Sequence, residues 1–412
     1  MRIGLICILI CIGFWSIARL KDQAVWGFFG HKLINRLAVF TLPEPMIEFY
    51  KAHLDYIVEH SVDPDKRRYA VKTEAICHFI DLDKWMQENH SLPDKDLLKA
   101  FIRNNAIYLV SKNSKVLLFD TMFAASKNTD SLFYSKRMLE SGLAVESGIE
   151  LNDFYKALKQ RDFNFFNGDE WIFPSYYFES IFPWIQAEDQ IEIVDRFSVH
   201  GILPYNLERC FYRLVNAFQT KNVSAILRGS AELGHYIGDA HVPLHTTMNY
   251  NGQLTNQHGI HAFWESRIPE LFAVETFDFV VGKAEYINNV RERIWDIILE
   301  SHKGVTLVLD MEFKLNSITP DDEKFCYDTR LNSVVKTQCK AYAKRYMDLL
   351  DNQVEERMRE SIFALGSFWM TAWYEAGQPD LNTLISDPYN LTVDLQDSLI
   401  FNKALIIDRE HE

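Results

Sequence analysis

The sequence predicts a mostly α fold, and three observations predict it. Apolar residues recur at helical spacing over long stretches. Leu214, Phe218, Ile226, Leu233 and Ile237 do so within 207–239, a helix is expected around 290–299, and 336–376 is a proline-free amphipathic run. Breakers close the patterns: Pro43 and Pro45 end the one that holds Ile34, Leu37 and Ala38, and Gly377 and Pro379 end the last. Strand signals are scarce.

In chain order, Arg2 and the apolar run 3–18 have the form of an export signal, too short for an ordinary membrane span. Residues 1–25 are therefore expected to be a signal peptide, with an uncleaved N-terminal anchor as the alternative. The residues before Trp26 are a poor match to a small-residue cleavage site. A second helix is expected over 45–57, and the polar, proline-containing stretch 60–70 is expected to be a loop. Residues 26–380 read as a single helical domain with an insertion over about 86–200, and 381–412 as a peripheral tail. Within the insertion, 112–120 reads as either a strand or a buried helix. Residues 162–184 are crowded with aromatics, including Trp171, Phe173, Tyr176, Tyr177, Phe178, Phe182 and Trp184. A helical subdomain with an aromatic core is the expectation there, and a lid or lipid-facing surface is the alternative.

With 48% hydrophobic residues the chain can bury a large core, which excludes a disordered protein. A formal charge of −14 argues against a basic nucleic-acid scaffold, though not against a nuclease whose metal ions supply the positive charge. Outside the signal-like segment only Cys77, Cys210, Cys326 and Cys339 remain, too few for a disulfide scaffold. The last two can pair in an oxidising compartment. No CxxC motif is present, so any zinc ligands would be histidine and carboxylate.

The chemistry concentrates in 234–265, which holds His235, His241, His245, His258 and His261 together with Asp239 and Glu265. His235 and Asp239 are four apart, as are His261 and Glu265, so each pair shares a helix face. Pro243 should end the first helix and let the chain bring His245 back to the same cavity. Histidine nitrogen and carboxylate oxygen are zinc donors where thiolates are absent. His241 and His258 fall outside the pairs and are expected to be hydrogen-bonded or solvent-facing.

The pattern H-x-x-x-D-x-x-x-x-x-H followed by H-x-x-x-[DE] resembles the trinuclear zinc phosphodiesterases. These comprise the bacterial zinc-dependent phospholipases C and the single-strand-specific S1/P1 nucleases. The resemblance covers about 26–85 and 205–300 and extends to Trp26, to His31 in W-x-x-x-G-H, and to His78 in His78-Phe79-Ile80-Asp81. An aspartate about fifteen residues earlier matches Asp63, with Asp65 as the second choice. The fold implied is a multi-helix phospholipase C/P1 nuclease-like domain with an inserted aromatic-rich subdomain.

Three Zn²⁺ ions are implied. The first would be held by Asp63, His78, His235 and Asp239, and the second by His245, His261 and Glu265. The third would be held by the amino and carbonyl groups of Trp26, by His31 and by a bridging Asp239. Asp63 is implied as the residue that orients or deprotonates the attacking water. Phe79 and Asp81 match positions that contact a base in the nucleases, with core packing as the plainer role.

Glu265 and the sixteen-residue interval from His245 to His261 favour the phospholipase C-like branch, whereas WGFFGH is closer to the nucleases. The substrate expected is therefore a phospholipid, reached by transient contact with a membrane surface, or else single-stranded nucleic acid. A non-catalytic zinc-binding surface protein is the third reading.

Overall fold

A computed structural model of the chain describes residues 28–385, apart from 69, 72, 90–91, 120–129, 145, 161–170 and 331–332. The expected signal segment, Trp26, Phe163, Phe165, Phe166 and most of the expected tail lie outside the described residues. Helix makes up 59% and strand 11% of the structure, so the mostly α class holds. Among the described residues no helix is long and apolar enough to cross a membrane.

The described residues form two compact units, those up to 80 together with those from 206 onward, and those within 81–205.

In the first unit the helices Phe28–Ala38, Leu54–His60, Val223–Ala240 and Gln353–Glu375 pack on one another. Glycines let two of them approach closely. A Cβ at Gly234 would stand 2.1 Å from Asn35 Oδ1, and one at Gly238 would stand 2.8 Å from His31 Nδ1. Tyr50 stacks on Trp369 with ring centroids 4.7 Å apart, and both side chains bond to Ser230, Tyr50 through its hydroxyl and Trp369 through its indole N–H. These contacts fix the Val223–Ala240 helix, whose C-terminal half carries His235 and Asp239.

Several elements of this unit depart from expectation. The helix expected over 45–57 is two, Met46–Ala52 and Leu54–His60. The expected loop 60–70 contains the short helix Asp63–Arg67. The run 336–376 is not continuous: a hairpin of strands Phe325–Arg330 and Ser333–Gln338 precedes helices Lys340–Leu349 and Gln353–Glu375. Asp351 and Asn352 take φ of 49° and 64° between those helices, a left-handed turn that no apolar spacing signals. Cys326 and Cys339 form a disulfide across the base of the hairpin. Cys77 and Cys210 are buried free thiols.

Where a helical subdomain was expected over 162–184, the second unit has the strand Trp171–Pro174. It contains a four-stranded antiparallel sheet in the order Ser114–Leu117, Ala106–Ser111, Gln190–Val194, Trp171–Pro174. Of the two readings open for 112–120, the strand is the one found. Leu109, Ile191 and Phe173 face one another across three strands and are buried, the row that period-2 alternation produces on one face. Phe119, Phe154, Phe178 and Phe182 are also fully buried, so these aromatics form core rather than surface.

Candidate metal centre

The first unit brings His31, Asp65, His78, His235, Asp239, His245, His261 and Glu265 together. They form four overlapping triads, in each of which one ligand atom per residue lies within 4.8 Å of the others. The triads are His31–Asp65–His235, His78–His235–Asp239, His245–His261–Glu265 and His31–Asp239–Glu265.

Each element contributes for a local reason. His235 and Asp239 lie one turn apart on the Val223–Ala240 helix. Ile237 and Ala240, off that face, pack into the core. The glycine approach at Gly238 lets the ring of His31 stack on that of His235, with centroids 4.0 Å apart. The helix ends at Ala240, and Pro243 opens a 3₁₀ turn, Pro243–Thr246, that carries His245. His245 lies in the cluster, its Nδ1 donating to His78 O at 2.6 Å. His261 lies on the short helix Ile260–Ala262, and Glu265 on the wider π turn Phe263–Arg267 that follows it. A π turn inside a helix is a rare local feature that recurs at functional sites.

The carboxylates are shared. Asp239 Oδ2 lies 2.9 Å from His78 Nδ1 and 3.4 Å from His235 Nε2, while Oδ1 lies 3.5 Å from His31 Nε2 and 3.8 Å from His245 Nδ1. Glu265 Oε1 lies 3.5 Å from His31 Nε2, and Oε2 lies 2.9 Å from His261 Nε2 and 3.4 Å from His245 Nε2. Asp239 was expected to bridge. Glu265 also meets His31, which the ligand division implied by the resemblance did not include.

The donor chemistry fits a metal. His235 Nδ1 donates to Ser61 O at 2.9 Å, and His245 Nδ1 donates to His78 O. In its neutral form each ring turns a lone pair on Nε2 toward carboxylate oxygen, and two lone pairs repel unless a cation lies between them. Two donors on a tetrahedral ion with bonds of ~2.0–2.1 Å stand roughly 3.3–3.4 Å apart. Four of the nitrogen–oxygen spacings above are 3.4 or 3.5 Å. Buried His, Asp and Glu groups that could hold a metal ion are therefore present.

The electrostatics point the same way. Burial pulls the His31 imidazole down, but Glu265, Asp239 and Asp65 outweigh it and hold it at about 9. Without a metal, a proton supplies the positive charge these carboxylates require. His235 is pushed down to about 4 by burial and by His31 and His78 beside it. Burial raises the Asp239 and Glu265 carboxyls, yet the surrounding histidines hold both well below the usual carboxylate range.

Asp63 is not part of the cluster. It starts the short helix Asp63–Arg67 and is held by His60 at 2.6 Å and Lys66 at 2.8 Å. Asp65, two residues on and so on another side of the helix, lies 3.6 Å from His235 Nε2. The helix decides between the two aspartates of Asp63-Pro64-Asp65, and a loop reading of that stretch hides it. Asp65 and Glu265 have the most exposed side chains of the set, at 22% and 16%, and mark its open edge. Phe79 is buried. Asp81, also buried, pairs with His200 at 3.0 Å in the second unit.

His241 is buried and donates to Ile237 O, and His258 is exposed; neither joins a triad. The sequence reading missed Arg68, whose Nη1 lies 3.6 Å from Asp65 Oδ1 and whose charge acts on both His78 and His261. The Asp65–Arg68 spacing of three on a helix was its only signal. No family model, curated protein or solved structure matches this chain.

Proposed function

We propose that the protein is a zinc-dependent phosphodiester hydrolase of the phospholipase C-like type. The observation that carries this reading is the sharing of two carboxylates, the buried Asp239 and the partly exposed Glu265, among five histidines in overlapping triads. Such sharing suits several ions held close together better than one structural ion.

Zinc held in the triads would supply Lewis acidity, acidifying water and offsetting the charge of a phosphodiester. His31, His78, His235, His245 and His261 offer nitrogen ligands, and Asp65, Asp239 and Glu265 offer oxygen ligands. Asp65, at the open edge, takes the role that the resemblance gave to Asp63. It orients the attacking water and accepts its proton. Arg68 beside it offers positive charge to the non-bridging phosphoryl oxygens. Removal of residues 1–25 would make Trp26 the N-terminus, whose amino and carbonyl groups the resemblance adds to the ligands. The Cys326–Cys339 disulfide supports passage through an oxidising compartment.

The test is a parallel assay of zinc-loaded protein on phosphatidylcholine vesicles and on single-stranded DNA. Lipid turnover is expected. Turnover of DNA alone makes the protein a single-strand nuclease, and zinc binding with turnover of neither substrate makes it a zinc-binding surface protein. Mass spectrometry of the exported chain should find Trp26 at its N-terminus.

A further inference from the structure

Asp65 and His78 reach the cluster from very short elements. Asp65 lies on the five-residue helix Asp63–Arg67, and His78 directly follows the 3₁₀ turn Ala75–Cys77. Neither is long enough to be stable through its own backbone hydrogen bonds. His235 and Asp239, by contrast, lie on the 18-residue helix Val223–Ala240. The placement of Asp65 and His78 against that helix must therefore come from side-chain contacts.

One side chain serves both elements. Arg67, the last residue of the short helix, donates from Nη1 to Glu232 Oε1 at 2.7 Å. Glu232 lies on the long helix, one turn before His235. Arg67 also reaches both oxygens of Glu74, through Nε at 3.3 Å and Nη2 at 3.4 Å. Glu74 directly precedes the turn that leads to His78. Its Oε1 accepts from the hydroxyl of Tyr236, the residue after His235 on the long helix. Glu74 and Glu232 are buried, and all of these residues belong to the first unit.

We propose that Arg67 is a positioning residue that clamps three ligand-bearing elements together, so that Asp65 and His78 stand where an ion held by His235 and Asp239 needs them. Arg67 is not itself a ligand. Its planar guanidinium offers a fork of N–H donors, and that fork spans two carboxylates on separate elements. Lysine carries the same charge on a single nitrogen, so it can hold one carboxylate and must release the other. His245, His261 and Glu265 come from other elements, Pro243–Thr246, Ile260–Ala262 and Phe263–Arg267, so their triad should not depend on the clamp.

This inference rests on the metal reading of the cluster, so the test has one arm without metal and one with it. In metal-free protein, hydrogen–deuterium exchange of Arg67→Lys should be faster than that of the unaltered protein at the amides of 63–67 and 75–78, and unchanged along Val223–Ala240. With zinc, competition with a chelator should show Arg67→Lys binding the ion at His78–His235–Asp239 roughly 10–100-fold more weakly. The ion at His245–His261–Glu265, identified by its loss in His261→Ala, should keep its affinity. A residue that merely stabilised the fold would not separate the two ions. Glu232→Gln leaves Arg67 on Glu74 and should shift both readouts in the same direction. It decides the matter if Arg67→Lys does not fold. Unchanged exchange, or no difference between the two ions, in the variant that folds overturns the proposal. If the unaltered protein binds no zinc, the metal reading fails, and the exchange arm still decides whether Arg67 fastens the two short elements.

Discussion

Asp239 Oδ1 lies 3.5 Å from His31 Nε2 in the interior of the first unit, while the other oxygen of the same carboxylate faces His78 and His235. One carboxylate thus serves two sets of nitrogen donors. Asp239→Asn keeps the size and removes the charge from both sets at once. Bound zinc, measured by mass spectrometry of dialysed protein, should fall by more than one ion per chain. The affinity loss should exceed the roughly 10–100-fold typical of a change outside the ligand shell. Loss of a single ion would assign Asp239 to one set.

The two aspartates of the Asp63–Arg67 helix should separate cleanly. Asp65→Ala removes an oxygen 3.6 Å from His235 Nε2 and should lower zinc content and abolish turnover. Asp63→Ala breaks partly exposed contacts with His60 and Lys66, each worth at most ~1 kcal/mol. It should leave zinc content unchanged and turnover near normal. The reverse result would return the role to Asp63.

Glycines on one helix should respond oppositely to alanine. At Gly238 a Cβ would stand 2.8 Å from His31 Nδ1 and 3.0 Å from Cε1, and that ring is stacked on His235. Overpacking of ~1–3 kcal/mol should outweigh the helix-propensity gain of up to ~1 kcal/mol, and zinc binding should weaken as His31 is displaced. At Gly229 the nearest atom to a Cβ is Leu214 Cδ1 at 3.6 Å, an ordinary contact. Gly229→Ala should therefore raise stability by about 0.5–1 kcal/mol without changing zinc content. Chemical denaturation of both variants checks the contrast.

These responses depend on features of very different visibility in the sequence. His235, Asp239, His261 and Glu265 declare themselves by a spacing of four, because a helix converts that spacing into one face. The return of His245 follows from Pro243, which cannot continue the helix. Asp65, Arg68 and Glu74 are less visible because each depends on how one short turn is wound. A five-residue helix or a 3₁₀ turn has too few residues to show a period. The sheet of the second unit escapes for another reason: its strands are four to six residues long and pair across the chain, with Ile107 opposite Ile193. Local pattern carries no information on such partners, and a short apolar run fits strand and buried helix equally. The break at Asp351 and Asn352 is set by backbone conformation, which apolar spacing cannot report.

His241 offers a prediction that involves folding rather than turnover. It is buried, donates Nδ1–H to Ile237 O at 2.7 Å, and its own carbonyl accepts from Arg357 Nε at 3.1 Å. Burial, and next the Arg357 charge, push its imidazole well below the ordinary value of 6.5. The sign follows directly. As pH falls through about 6.5, the unfolded chain takes up a proton at this site that the folded chain refuses. The contribution is fully present above that pH and is lost as pH drops below it, at up to ~1.4 kcal/mol per pH unit. Asn at 241 can supply a similar N–H donor and cannot titrate. The stability difference between the unaltered protein and His241→Asn, both metal-free, should therefore be constant from pH 7 to 8 and shift in favour of His241→Asn by roughly that slope between pH 6 and 5. Other histidines shift in both directions, but they are common to the two proteins and cancel in the difference. A pH-independent difference would mean that His241 is protonated in the folded state as readily as in the unfolded chain.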